Sequence, residues 1–360
     1  MAASDQHSSI ASTEKMPDAA YVETVSTGTG LETGSGASGA GGPKKVGASQ
    51  RIKTHFRRFW WLHLIIFLAG ALLLTLLLVY VAEPRIAQTG VNESTLEIDS
   101  MVLTDPTPTS FHLHQTQVLH NYNMYHPYLD GFNASLFLED TEPNIIPFAY
   151  IQVPGVSALS DSPMVLDQTV QIVDLDQYTR YTKLVLQSEE YRVAIRGRPL
   201  LHEARYPATY VDYNEVVTLK GLNGLKGFNV TQFQILLSPA PDGANLIGTA
   251  YIPNPSVLTI AMGNVTFNLS VQGDFIGTTT IENLTLVPGN NTVPMRSTTN
   301  QSLVIEKLTQ FPDGFLPIDV LGNSSVYNGQ HLPYYEAALA TNPQHISLNV
   351  GGALGGGLKL

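Results

Sequence analysis

The chain has 360 residues, 19 Lys and Arg against 30 Asp and Glu, no cysteine, and a formal charge of −11. So few cations exclude a duplex nucleic-acid binder, because phosphate contacts supply most of that affinity. The missing thiols exclude a disulfide framework, a thiolate nucleophile and every cysteine-ligated zinc, haem or iron–sulfur site.

Residues 1–50 are rich in Ser, Thr, Gly and Ala and nearly devoid of large apolar side chains. Such a segment cannot bury enough surface to offset its ordering entropy, so a disordered tail is expected over 1–58, ending in a basic run. From Leu64 to Ala82 the chain carries no charge for nineteen residues, and Trp60, Trp61 and Leu62 extend the apolar stretch upstream. At about 1.5 Å per residue this crosses a hydrocarbon core of about 30 Å, which predicts a transmembrane helix over 59–82. Glu83-Pro84 is expected to end it. A cleaved signal peptide fits poorly, because more than fifty residues precede the run and Tyr80 occupies a position where cleavage needs a small residue.

Lys44, Lys45, Arg51, Lys53, Arg57 and Arg58 precede this segment, whereas 25 acidic and 12 basic residues follow it. The positive-inside bias then places the N-terminus in the cytosol and the rest in a lumen. Glycosylation sequons agree. The first 82 residues lack asparagine, and nine of the twenty asparagines beyond open an N-x-S/T acceptor: Asn92, Asn133, Asn229, Asn264, Asn268, Asn283, Asn290, Asn300 and Asn323. These are the predicted N-glycosylation sites.

Beyond the membrane the chain alternates with period two. In NVTFNLSV, Val265, Phe267, Leu269 and Val271 share one strand face, and Asn264 and Asn268, both in sequons, share the other. Further short strands are read in PFAYIQV, YRVAIRG, EVVTLKG, TQFQILLS, LIGTAYI and ENLTLV, with helices at Asp176–Glu190 and Gln301–Gln310. Each helix precedes a strand that ends in glycine, at Gly197 and Gly322, and these landmarks lie 125 or 126 residues apart. His126-Pro127 and Asn254-Pro255 are matched in the same way. The expected fold is mostly β: a single transmembrane helix, then two tandem antiparallel β-sandwiches with about one helix each, at 86–214 and 215–345, and a Gly-rich tail at 346–360.

The stretch EVVTLKGLNGLKGFNV and the later YIPNPSVLTIAMGNVTFNLSVQGDFIGTTTIENLTLVPGNN resemble a fungal family of single-pass vacuolar-membrane proteins of unknown function, related to the yeast termination-of-autophagy vacuolar protein. Asn254-Pro255-Ser256 is similar to the Asn-Pro motif of late-embryogenesis-abundant type-two β-sandwiches. The resemblance covers 215–345 more fully than 90–214. It implies a vacuolar membrane location with the C-terminal part lumenal, offers no catalytic residue, and brings the suggestion of lipid held between the sheets.

Few residues suggest chemistry. His112 and His114 share a strand face, with His120 and His126 nearby, but surface histidines are the expected reading and no metal site is assigned. Gly155, Ser157 and Leu159 lack the second glycine of a nucleophile elbow, and Glu189/Glu190 and Asp174/Asp176 are acids without a catalytic context. The expectation is a non-enzymatic type II membrane glycoprotein with no cofactor, whose partners are the bilayer and either a lipid ligand or a lumenal protein. The alternative is a lumenal sensor or scaffold that signals through its cytosolic tail, for example in control of autophagy.

Overall fold

The computed structural model describes residues 48–236 and 238–356, with backbone alone at 48–55, 355 and 356. The expected tail therefore lies outside the described residues as far as 47, and tail signalling with it. Helix α1 (Ala48–Leu77) corrects the rest of that tail, since 48–58 is helical. Ala, Gln, Arg and Lys are good helix formers, and they extend a helix that the apolar run has already nucleated. A break in helical geometry at Phe59 (φ −120°, ψ 20°) marks where the apolar segment begins.

Phe56–Asn92 is the one helical segment, among the described residues, long and apolar enough to cross a membrane. Pro84 does not end it. A π-helical turn at Leu78–Ala82, closed by Glu83 N–H donating to the Leu78 carbonyl, leads into α2 (Glu83–Asn92), with Pro84 in the first turn of α2. The wider turn removes the clash between the proline ring and the carbonyl four residues back, and the missing N–H costs little at a helix start.

From Ile66 onward the described chain is one compact unit, mostly β. Its first sandwich comprises β1 (Thr95–Thr104), β2 (Ser110–His120), β3 (Phe132–Leu138), β4 (Pro147–Val153), β5 (Asp161–Gln171), α3 (Leu175–Gln187), β6 (Glu190–Gly197) and β7 (Tyr213–Lys220). Strands β1-β2-β5 face a second sheet in the order β4-β3-β6-β7. In the second sandwich are β8 (Asn229–Ile235), β9 (Leu246–Asn254), β10 (Leu258–Val271), β11 (Asp274–Leu286), β12 (Gly289–Thr299), α4 (Gln301–Leu308), β13 (Phe315–Tyr327), α5 (Pro333–Leu339), β14 (Gln344–Asn349) and α6 (Val350–Gly356). Its order is β8-β9-β12-β11-β10-β13-β14. Raising each strand number of the first sandwich by seven reproduces the second.

The halves differ where the two sheets meet. Gly277–Thr280 of β11 pair with β12, but β4 approaches the β5 end only at an isolated bridge, Ala149 to Ile172. The first sandwich therefore keeps two separate sheets. A parallel pairing of Met101–Leu103 in β1 with Leu258–Ile260 in β10 then joins the halves into an 11-stranded sheet. At Gly263 the β10 strand bulges and changes partner from β1 to β13. Its φ of +71° and a would-be Cβ 2.3 Å from the Val326 carbonyl oxygen explain the glycine.

Polar turn chemistry repeats with the fold. Asp174 and Asn300, 126 positions apart, cap α3 and α4 by accepting from the third N–H onward, Gln177 and Leu303. Buried Asn121 and Asn254 each accept from the N–H two residues on and donate Nδ2 to the carbonyl four residues on. These two, rather than His126-Pro127 and Asn254-Pro255, are the structural equivalents. They stand 133 positions apart, whereas β3 and β10 start 126 apart, so the first half carries seven extra residues between Asn121 and β3.

Two expected boundaries are corrected. A junction between 214 and 215 would cut β7, which pairs with β6 along its whole length because its alternating face closes the first core. The residues 346–360 are not a tail as far as 356: Ile346–Asn349 complete β14, and α6 packs so closely that a Cβ on Gly351 would sit 2.8 Å from the Gly314 Cα.

Candidate functional site

Between the sheets of the first sandwich lies an apolar cavity of about 750 Å³. Leu119 of β2 and Met164 of β5 form one wall, Ile151, Val153 and Ile195 the other, with the tilted rings of Phe132 and Tyr213 5.6 Å apart along it. Burial pushes the Tyr213 hydroxyl pKa well up, so it stays protonated. The cavity runs out against the helix: Thr75, Leu78, Val79 and Ala82 line it, as do Gly90 and Val91 of α2.

Its mouth is built by connections between the main strands. Tyr128–Leu129, Val156–Ser157, Leu200–His202 and Thr209–Tyr210 form a small four-stranded sheet of their own. The seven extra residues fall in the loop that supplies its first strand. That loop exposes Tyr122, Tyr125 and Met124, the last 89% exposed, and Tyr206 and Tyr210 are exposed on the connection between β6 and β7. Tyr125 and Tyr206 also line the cavity.

Two carboxylates stand at the same mouth. Glu83 and Glu203 both line it, and each has one buried side-chain oxygen without a hydrogen-bond partner. Buried polar atoms are nearly always satisfied, so a pair of exceptions in one cavity mouth marks a place shaped for something else. Sequence reading missed both, since they are 120 residues apart and neither belongs to a motif. The second sandwich encloses only about 140 Å³, because α4 and α6 bring Val304, Ile305 and Leu354 down onto it.

The sequon asparagines are all at the surface. Eight are exposed and Asn268 is half-buried. Where Asn229, Asn264 and Asn300 make hydrogen bonds, the side-chain oxygen accepts, from Val230, Asn283 and Leu303, which leaves the amide nitrogen outward. Buried Asn121, Asn245, Asn254 and Asn291 instead donate Nδ2 to backbone carbonyls, and none of them opens a sequon. Asn254-Pro255-Ser256 is a turn staple: Asn254 Oδ1 accepts from the Ser256 hydroxyl at 2.6 Å and backbone at 3.0 Å.

The histidines gain partners that spacing along the chain does not reveal. On the outer face of β1-β2-β5, His112 and His114 each lie 3.0 Å from an oxygen of Asp167. His120 sits 2.8 Å from Asp161 and 3.2 Å from Glu97, while His126 lies 3.2 Å from the Ala158 carbonyl. No group of three or more such ligands is arranged to hold a metal among the described residues. The hydrogen bond to Asp161, aided by Glu97, raises the His120 pKa, and the hydrogen bond from His114 lowers that of Asp167. Ser157 closes a two-residue strand, Asp174 is a helix cap and Asp176 lies in the next turn.

Residues 146–269 match a family described as a protein of unknown function, DUF3712, in a segment running from the start of β4 into β10 across the junction of the halves. No curated protein matches the chain. Among solved structures, a transglutaminase from red sea bream is 11% identical over 70% of this chain and 31% of its own, with a TM-score of 0.20. A bacterial adhesin from Mobiluncus mulieris is 10% identical over 69% and 82%, at 0.20, and a DUF4785 family protein from Legionella pneumophila 12% identical over 71% and 55%, at 0.21. The chain thus spans about a third of the transglutaminase, and scores this low assign no shared fold.

Proposed function

We propose that this chain is a non-enzymatic, single-pass membrane protein of the fungal vacuole, with a cytosolic N-terminus and glycosylated lumenal sandwiches, that holds a lipid between the sheets of the first sandwich. The observation that carries this reading is the 750 Å³ apolar cavity ending on the helix. Its size is that of a ligand site, and its walls suit hydrocarbon better than a polar solute. Each methylene that leaves water for such walls gains about 0.8 kcal/mol, so a chain with roughly ten buried methylenes would be held firmly against loss to solvent.

The surface position of the sequon asparagines, the acidic surface and the resemblance to vacuolar-membrane proteins support the location and orientation. Lipid extraction and mass spectrometry of the full chain, purified in detergent, tests the binding. Co-purifying lipid at near-stoichiometric yield is expected, falling at least fivefold in Ala158→Phe, which places a ring inside the cavity. Equal recovery from both proteins would refute it.

A further inference from the structure

We infer that the cavity opens sideways into the near leaflet of the bilayer and takes a lipid with a protonated amine head, which Glu83 and Glu203 hold. This rests on the lipid-binding reading and adds an entry route and a head-group class.

The route follows from which residues line the mouth. Thr75, Leu78, Val79 and Ala82 belong to the uncharged run that spans the membrane. Thr75 lies seven residues before Ala82, about 10 Å along a helix with 1.5 Å rise, so an opening that touches both reaches from the interface into hydrocarbon. A chain entering there leaves one apolar medium for another and never meets water. The flanking loops suit the same plane: Tyr122, Tyr125, Tyr206, Tyr210, Met124 and Ile86 are all exposed, the composition of an interfacial anchor. Only the half beside the helix carries the seven-residue insertion, and the second sandwich encloses only about 140 Å³.

The head group follows from charge. Glu83 immediately follows the apolar run, at the depth of the lipid head groups, and Glu203 faces it from the connection after β6. Burial and the nearby Glu203 raise the Glu83 pKa, so the pair favours a cation between them; when ionised, their unpartnered oxygens only accept, so a phosphate would be repelled while an ammonium would donate to both. Arg85 lines the same mouth but is exposed and makes no ion pair with either, among the described residues. An ionisable residue at membrane depth without a protein partner is explained by a ligand that supplies one.

Photolabelling of the full chain in phosphatidylcholine nanodiscs tests this. Two probes of equal chain length, a long-chain amine and a long-chain alcohol, each carry a diazirine near the chain end. Labelling of the β2 and β5 peptides that face the cavity is expected to be at least tenfold stronger for the amine. In Glu83→Gln with Glu203→Gln it should fall to the level of the alcohol, whose labelling stays unchanged and reports an intact fold. Equal labelling of the wild-type chain by both probes overturns the head-group assignment while leaving lipid binding in place. Absence of both labels from the cavity overturns the lipid reading itself.

Discussion

Tyr334 gives the sharpest test of how the two sandwiches hold together. It belongs to α5 in the second half, is completely buried, and sits edge-on to Tyr178 of α3 in the first half at 4.9 Å between ring centres. Its hydroxyl donates to the Thr107 carbonyl at 2.9 Å, and its own carbonyl accepts from the Thr182 hydroxyl at 3.1 Å. Tyr334→Phe removes only the hydroxyl bond, a loss of about 1 kcal/mol. Tyr334→Ala also empties a fully buried ring site, for which about 3–5 kcal/mol is expected. The backbone bond from Thr182 survives in both, so the difference isolates the ring. Because the strand pairing between halves covers only Met101–Leu103 with Leu258–Ile260, the packing of α3 against α5, in which this ring sits, is a main part of the joint. Urea unfolding of the full chain in micelles, read by hydrogen exchange in β2 and β12, should show both strands lose protection earlier in Tyr334→Ala, with Tyr334→Phe close to wild type. A shift confined to β12, or equal shifts from the two variants, would refute the idea that this ring locks the halves.

Two further outcomes are expected. His120 has its pKa raised above 6.5, so its contribution is complete below pH 6.5 and lost as pH rises through the raised value. Asp167, lowered from 3.8, contributes fully above pH 3.8 and loses this as pH falls through its depressed value. Together these two contributions are greatest between about pH 4 and 6.5, so His120→Ala should flatten the decline of the urea midpoint toward pH 8; a midpoint unaffected by the variant would count against the pairing. Endoglycosidase should increase the gel mobility of the chain expressed in a fungal host, and residues beyond the helix should resist protease added to sealed vesicles. Unchanged mobility together with digestion would reverse the proposed orientation.

What was legible in the sequence is what depends on neighbours along the chain. An uncharged run long enough to span hydrocarbon needs no partner to be recognised, and the alternation of NVTFNLSV places Val265, Phe267, Leu269 and Val271 inward in β10 because strand period is a local property. The helix starts at Asp174 and Asn300 were near their predicted positions for the same reason. Strand register, in contrast, is non-local: nothing near His112 or His120 announces that β5 will set Asp167 and Asp161 beside them. Pro84 misled because a single wider turn upstream absorbs a residue that ordinarily stops a helix.

The cavity was the least legible feature, because it depends on the spacing between sheets and not on any residue type. Its trace in the sequence is indirect: two halves with the same strand order, one of them longer by seven residues in a loop that carries three Tyr and a Met. Had the insertion only lengthened a surface loop, polar residues would have served, since solvent places no demand on their character. Exposed aromatic and thioether side chains instead suit a medium that accepts them, and the loop that carries them is the one beside the long apolar helix. The same placement accounts for the asymmetry between the halves. The second sandwich covers its interior with α4 and α6, whereas the first sets α2 and the end of α1 across its opening, so the wall that closes the site is itself the part of the chain fit to lie in lipid.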